Sequence, residues 1–385
     1  MSFTSRLSGF AARLRALIHA RAGEPGIRGP GREEEGQGIP PGEAEFDALA
    51  LELFALQFDQ NAPYRRFCQA RQALPGRVPH WSAIPAVPAA AFKEGDLSCL
   101  PDGERCTVFH SSGTIGQQPS RHFHNAASLA VYEASLLRWF NAHCQMPPGE
   151  RELAILTPPP ARVPHSSLSH MFETIRRDAG AGESAFVGTL AEEGTWTLDL
   201  DAALRLLRAA GAGNRPILLL GTAFSFVHLL DELAEQDLSF ALPDGSCALE
   251  TGGYKNRSRV LPKATLHALI SRRLGIASAR ILCEYGMSEL SSQAYDCAIA
   301  PSRLTPHASR PFRFPPWARA QVISPETGRE VGEGESGLIR VFDLANVYSV
   351  MAIQTEDLGV RRGTGFDLLG RAVMAEPRGC SLAVA

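Results

Sequence analysis

Several segments of the 385-residue sequence gather residue types suited to chemistry. The first is Ser111-Ser112-Gly113-Thr114-Ile115-Gly116, directly after the apolar Thr107-Val108-Phe109. Small residues with two glycines let backbone N–H groups turn inward around an anion. The hydroxyls of Ser111, Ser112 and Thr114 add donors for phosphate oxygens. The GxxxxGK[ST] lysine is missing, so this is not a Walker-type loop. The second segment is Glu284-Tyr285-Gly286-Met287-Ser288-Glu289. It sets a ring, a small hydroxyl and a carboxylate at a strand end, where they can stack on a base, touch a phosphate and hold Mg2+. Magnesium favours one or two carboxylates plus substrate phosphates. Further on, Gln354-Thr355-Glu356-Asp357-Leu358-Gly359 offers Asp357 as an acceptor for ribose hydroxyls, and Gly370-Arg371 a late cation. Each segment alone also reads as an ordinary loop or surface stretch; their order makes the case.

These segments need a scaffold, and the apolar pattern supplies one. Residues 46–60 predict an amphipathic helix, and 85–93 an extended segment around Pro85 and Pro88. The run 153–157 predicts a buried strand ending at Pro158-Pro159-Pro160. Helical periodicity covers 198–210 and stops at Gly211; a strand at 217–220 precedes a helix at 224–235. The stretch 262–274 has proline at a helix N-terminus and Gly275 after its end. A strand at 280–284 and two more at 320–323 and 338–342, flanking a Gly-rich turn, complete the pattern. Strands alternating with helices, then a β-rich C-terminal third, predict an α/β fold of layered subdomains with an added β-rich C-terminal subdomain.

Composition narrows the function classes. A formal charge of −3 gives no support for a nucleic-acid binder. Eight cysteines without a CxxC pair predict reduced, mostly buried thiols, a cytoplasmic location and no zinc site. Gly332-Glu333-Gly334-Glu335-Ser336-Gly337 matches GxGxxG literally. It leads into a strand rather than a helix, so it reads as a hairpin turn. His110, His122 and His124 read as structural histidines, and no GxSxG elbow supports a hydrolase.

The N-terminal residues 1–22 carry Arg6, Arg13, Arg15 and Arg21, no acid, and apolar residues at helical spacing. They predict a basic amphipathic leader, detachable and poorly ordered, with contact to an anionic membrane as the other reading. Residues 23–42 hold 11 Gly or Pro in 20 positions and predict a flexible linker. Residues 43–376 then form the main domain, and 377–385 a mobile tail.

The order of the segments resembles the adenylate-forming superfamily, and within it the LuxE-type acyl-protein synthetase family. The likeness runs from about Phe46 to Leu382 and includes SSGTIG, Leu220-Gly221-Thr222-Ala223-Phe224, Thr251-Gly252-Gly253-Tyr254-Lys255, YGMSE, QTEDLG, LLGR and Arg378-Gly379-Cys380-Ser381-Leu382. It implies the large-domain fold of that superfamily, with ATP and Mg2+ as cofactors. The 111–116 loop, with Ser111, Ser112, Gly113, Thr114 and Gly116, would wrap the ATP phosphates. Gly252 and Gly253 would admit adenine to the backbone, and Tyr285, beside Gly286, would stack near it. Ser288 would touch the phosphate that becomes AMP, Glu289 would hold Mg2+, and Asp357 with Arg371 would hold the ribose. The implied reaction is attack of a carboxylate on the α-phosphate of ATP, chemistry of positioning and charge neutralisation.

Cys380 follows Glu376-Pro377-Arg378-Gly379 near the C-terminus. A thiol on a mobile tail beside an arginine can attack an acyl-AMP. The resemblance implies that it is the acyl acceptor, handing the group to a reductase or other acceptor protein. It also implies a long-chain fatty acid, with Phe224, Phe226, Trp139 and Phe140 as candidate pocket walls. Larger superfamily members carry a C-terminal lid lysine, and this sequence ends soon after Arg371. Lys255 is therefore the first candidate for the assisting cation, followed by Lys93 and Arg121. Transfer to CoA or a carrier, and a non-catalytic nucleotide-binding subunit, are the competing readings.

Overall fold

The computed structural model describes residues 3–20, 42–111, 118–144, 146, 151–180, 184–192, 194–252, 259–296 and 310–372. Three helices come first: α1 (Phe3–Ala20), α2 (Glu43–Gln60) and α3 (Ala62–Ala70). The strand β1 (Val87–Pro88) and the single turn α4 (Ala91–Glu94) lead to the hairpin β2 (Thr107–His110) and β3 (Arg121–His124). Next come α5 (Ala126–His143), β4 (Glu152–Ile155), α6 (Ser167–Ala179), β5 (Ser184–Phe186), and the small pair β6 (Gly188–Leu190) and β7 (Trp196–Leu198). Then follow α7 (Leu200–Gly213), β8 (Ile217–Thr222), α8 (Ala223–Glu235), β9 (Cys247–Thr251), α9 (Lys263–Leu274) and β10 (Ile281–Tyr285). The rest is β-rich: β11 (Ala294–Asp296), β12 (Phe312–Arg313), β13 (Ala318–Ile323), β14 (Ser336–Asp343), β15 (Ala352–Arg362) and β16 (Gly365–Arg371).

Strands β5, β4, β8, β9 and β10 run parallel. Their interior is apolar on both faces because helices cover both. Successive side chains of β8 alternate between them. Ile217 and Leu219 pack with α7, α8 and α9 residues such as Leu204, Phe226 and Ile270. Leu218 and Leu220 pack with Tyr132, Phe140 and Phe172 of α5 and α6. Local signals start these helices: Asn125 and Ser128 form a capping box on α5, as do Thr222 and Ser225 on α8. Gly275 closes α9 at φ 71°.

The elements differ from expectation in instructive places. Phe92 and Lys93 lie on the turn α4 rather than in an extended segment. Helix α7 continues past Gly211 to Gly213, and Asn214 ends it in the left-handed region. The β-rich C-terminal third is present as expected, and its strands share one sheet with the parallel strands. They continue the parallel half through β11 and β12, in the order β13-β14-β15-β16-β12-β11-β10-β9-β8-β4-β5. The GxGxxG look-alike is a turn entering β14, where a Cβ on Gly337 would collide with Ile323 backbone.

The expectation of a detachable, poorly ordered leader is corrected. Leu7, Phe10, Leu14 and Ile18 of α1 are buried in the same core as Val131 and Ala134 of α5. Each such side chain contributes about 1.5–3 kcal/mol through burial. Ser8 meets the Tyr348 hydroxyl at 3.2 Å, and Arg13 pairs with Glu52. The apolar face offered to a membrane is thus occupied by the protein itself. Among the described residues no helix is long and apolar enough to cross a membrane. Cys68, Cys99, Cys144, Cys247 and Cys283 are buried free thiols, and Cys106 is exposed. The 23–41 stretch of the linker and the whole 377–385 tail, with Cys380, lie outside the described residues.

Candidate active site

The hairpin β2–β3 presents the first candidate loop. Ser111 N–H donates to Ser120 O at 3.3 Å, and Ser120 N–H donates to Ser111 Oγ at 2.9 Å. The two ends of the loop are therefore pinned together. Ser112, Gly113, Thr114 and Gly116 lie outside the described residues, as do Gly253 and Lys255.

The loop ends meet the segment after β10. Ser120 Oγ lies 3.3 Å from Ser288 Oγ, and Ser288 Oγ donates to Glu289 Oε2 at 3.1 Å. His122, one strand position pair beyond Ser120, donates from Nδ1 to Ser288 O at 3.0 Å. Glu289 is 5% exposed. Burial pushes its carboxyl up, opposed by the hydroxyls of Ser120 and Ser288 and by the charge of Arg371. Burial lowers the His122 imidazole to about 4, so it is neutral at neutral pH.

The third strand joins from the C-terminal half. Tyr285 donates its hydroxyl to Asp357 Oδ2 at 2.8 Å. Asp357 pairs across β15–β16 with Arg371, whose Nε is 3.9 Å from Asp357 Oδ1. Burial raises the Asp357 carboxyl, and the Tyr285 bond and Arg371 pull it back. The Tyr285 ring is enclosed by Phe312, Phe314 and Phe366, with centroids 5.2–6.2 Å away. Tyr285, Ser288, Glu289, Asp357, Arg371 and Ser111 are thus brought to one place.

The glycines answer to different needs. Among the described residues, a Cβ on Gly252, just after β9, would meet nothing within 4 Å. A Cβ on Gly286 would collide with Glu284 Oε1, so this glycine makes room for the chain's own carboxyl. Glu284 is buried and its pKa is raised to about 7, chiefly by burial; the Thr251 hydroxyl opposes the shift and Glu250 adds to it. Among the second-choice cations, Arg121 is engaged by Asp96 at 2.9 Å, and Lys93 is half-buried on α4. Phe140 and Phe226 belong to the apolar layers flanking the sheet, which is ordinary core packing.

Sequence reasoning missed Ser120 and Asn346, gave Glu284 no role of its own, and read His122 only as structural. The one available signal was position: Ser120 precedes the strand that returns from the serine loop, and His122, two residues on, lies in it. Among the described residues no group of three or more His, Cys, Asp or Glu gathers as a metal cage. A single buried carboxylate flanked by hydroxyls suits Mg2+ shared with phosphates better than a metal held by protein alone.

The sequence model of the family described as acyl-protein synthetase, LuxE, matches residues 42–385. Helix α1 precedes that span. The long-chain-fatty-acid–luciferin-component ligase of Vibrio harveyi is 23% identical over 345 residues, covering 87% of this chain and 86% of that one. The protein of the same description from Aliivibrio fischeri is 22% identical over 361 residues, covering 88% and 87%. The crystal structure of 2-hydroxyisobutyryl-CoA ligase with 2-HIB-AMP superposes with a TM-score of 0.62 at 15% identity, covering 86% of this chain and 67% of that one. That likeness is one of fold.

Proposed function

The chain belongs to the LuxE acyl-protein synthetase family, and from that premise we propose that its site activates a carboxylic acid with ATP and passes the acyl group to Cys380. The observation that carries this reading is the convergence of Ser120, Ser288, Glu289, Tyr285 and Asp357 from three distant parts of the chain.

In the first step a carboxylate oxygen attacks the α-phosphorus. A new O–P bond forms, the bond to the β-phosphate oxygen breaks, and pyrophosphate leaves with that electron pair. The chain's contribution is to hold the groups in line and to meet their charge. The Ser111–Ser120 loop donates to phosphate oxygens, Ser288 to the phosphate that becomes AMP. Asp357, fixed by Tyr285, accepts from the ribose, with Arg371 beside it. Gly252 leaves room for adenine. Glu289 would hold Mg2+, which neutralises phosphate charge when bound. Lys255 is the proposed assisting cation.

In the second step the Cys380 thiol loses its proton and the sulfur attacks the acyl carbon. The C–O bond to AMP breaks, leaving a thioester for delivery to an acyl-acceptor protein such as a reductase. The proposed acid is a long-chain fatty acid, which the description of both bacterial relatives supports. The test is ATP–pyrophosphate exchange with a panel of carboxylates of graded length. Exchange that requires an acid and rises with chain length supports the reading; no exchange with any acid overturns it.

A further inference from the structure

Residues 286–293 form neither helix nor strand, yet they carry Ser288 and Glu289. No ladder holds their backbone; buried side chains do. The carbonyl of Ser288 accepts from His122 Nδ1 at 3.0 Å, and the next carbonyl, of Glu289, accepts from Asn346 Nδ2 at 2.9 Å. These donors come from 166 residues before Ser288 and 57 residues after Glu289. Asp343 accepts from the backbone N–H groups of Ser291 and Ser292 at 3.0 and 2.8 Å. Asn346 is itself held by hydrogen bonds, and the His122 ring packs against Phe92 and His124. Asn346 Nδ2 also donates to Val350 O at 3.0 Å, so a flipped amide would set oxygen against two carbonyls. Gln57 of α2 grips the same loop, donating to Asn346 O at 2.7 Å and accepting from Met351 N–H at 3.0 Å. His122 and Asn346 are 3% and 1% exposed, and the bond to Ser288 O requires the Nδ1–H tautomer.

We propose that His122 and Asn346 are positioning residues that clamp the successive carbonyls of Ser288 and Glu289, and so aim the Ser288 hydroxyl and the Glu289 carboxylate at the phosphates and their metal. The inference rests on the adenylating reading above. Peptide units 288 and 289 are gripped from two sides, so the side chains they carry lose the freedom to swing. A shift of about 1 Å in such a group lowers the rate roughly 100-fold, and loss of a supporting partner weakens metal binding or activity about 10–100-fold. Packing alone does not explain the choice of residues, because an apolar side chain fills the same space without the donor.

The test compares His122→Asn, whose amide nitrogen falls where Nδ1 stands, with His122→Gln, which places it at the Nε2 position, and with His122→Leu and Asn346→Leu. Calorimetry reads ATP binding as a function of Mg2+, exchange kinetics read kcat and KM, and thermal unfolding reads the fold. The Mg2+ concentration for half-maximal ATP binding is expected to rise about tenfold in His122→Gln and both leucine variants. Their kcat falls more than their KM changes, while His122→Asn stays near wild type. Equal behaviour of His122→Asn and His122→Gln, or a lower Tm with an unmoved Mg2+ midpoint, overturns the proposal. That comparison stands even if a leucine variant fails to fold. A wild-type chain that binds no Mg2+–ATP overturns the adenylating reading and this inference with it; wild-type binding with indifferent variants overturns the clamp alone.

Discussion

Tyr285 at the end of β10 and Asp357 in the middle of β15 share a 2.8 Å hydrogen bond across 72 residues of chain. It ties the parallel half of the sheet to the antiparallel half at the point where the candidate site lies. Removing the hydroxyl in Tyr285→Phe leaves a largely buried carboxylate one donor short. Hydrogen bonds to charged groups contribute about 1.5–3 kcal/mol. Steady-state exchange assays are expected to show a KM for ATP raised about tenfold or more, with kcat less affected. An unchanged KM would mean that Asp357 does not depend on Tyr285 for its task.

Cys380 separates activation from transfer. The Cys380→Ser chain is expected to catalyse ATP–pyrophosphate exchange at the wild-type rate, yet carry no stable thioester when its intact mass is measured after incubation with acid and ATP. An acyl adduct of full occupancy on the mutant, labile to hydroxylamine at neutral pH, would place the acceptor elsewhere.

Glu284 gives a pH signature. Its pKa is raised from 4.5 to about 7 by burial. The folded chain therefore binds a proton that the unfolded chain has released. The stability this supplies is fully present below about pH 4.5 and is lost as pH rises through about 7. Glu284→Gln cannot lose that proton. Relative to wild type, its stability in urea titrations is expected to improve between pH 5 and 8, by up to about 3 kcal/mol at the upper end. Parallel stability–pH curves for the two chains would show that Glu284 titrates near its ordinary value.

Helix α1 is part of the folded unit, so its apolar face should behave as core. Phe10 is fully buried. Phe10→Ala is expected to destabilise the chain by about 3–5 kcal/mol, the range for a large buried aromatic. Substituting the exposed Arg15 is expected to leave stability unchanged. Denaturation midpoints measure both. A Phe10→Ala midpoint equal to wild type would restore the loosely attached leader.

Much was legible in the sequence because it is local. Capping residues, the apolar alternation of β8, the glycine ending α9, and the serine-rich and YGMSE segments depend on neighbours within a few positions. Their order along the chain sufficed to bring Ser111, Tyr285, Ser288, Glu289, Asp357 and Arg371 into one candidate site. What the sequence could not decide was which distant surface each local feature meets. The spacing of Leu7, Phe10, Leu14 and Ile18 fits a membrane-facing helix or a docked one equally, and only the shared core with α2 and α5 selects the docked form. Gly286 looks like a glycine for a nucleotide until Glu284 is seen folded into its space. Arg121 looks like a free cation until Asp96 is found beside it. His122 and Asn346 lie in unremarkable stretches, and their meaning comes from two carbonyls far along the chain. Local patterning is encoded in adjacent residues, whereas burial, charge partnering and backbone support arise between residues that only the folded chain makes neighbours.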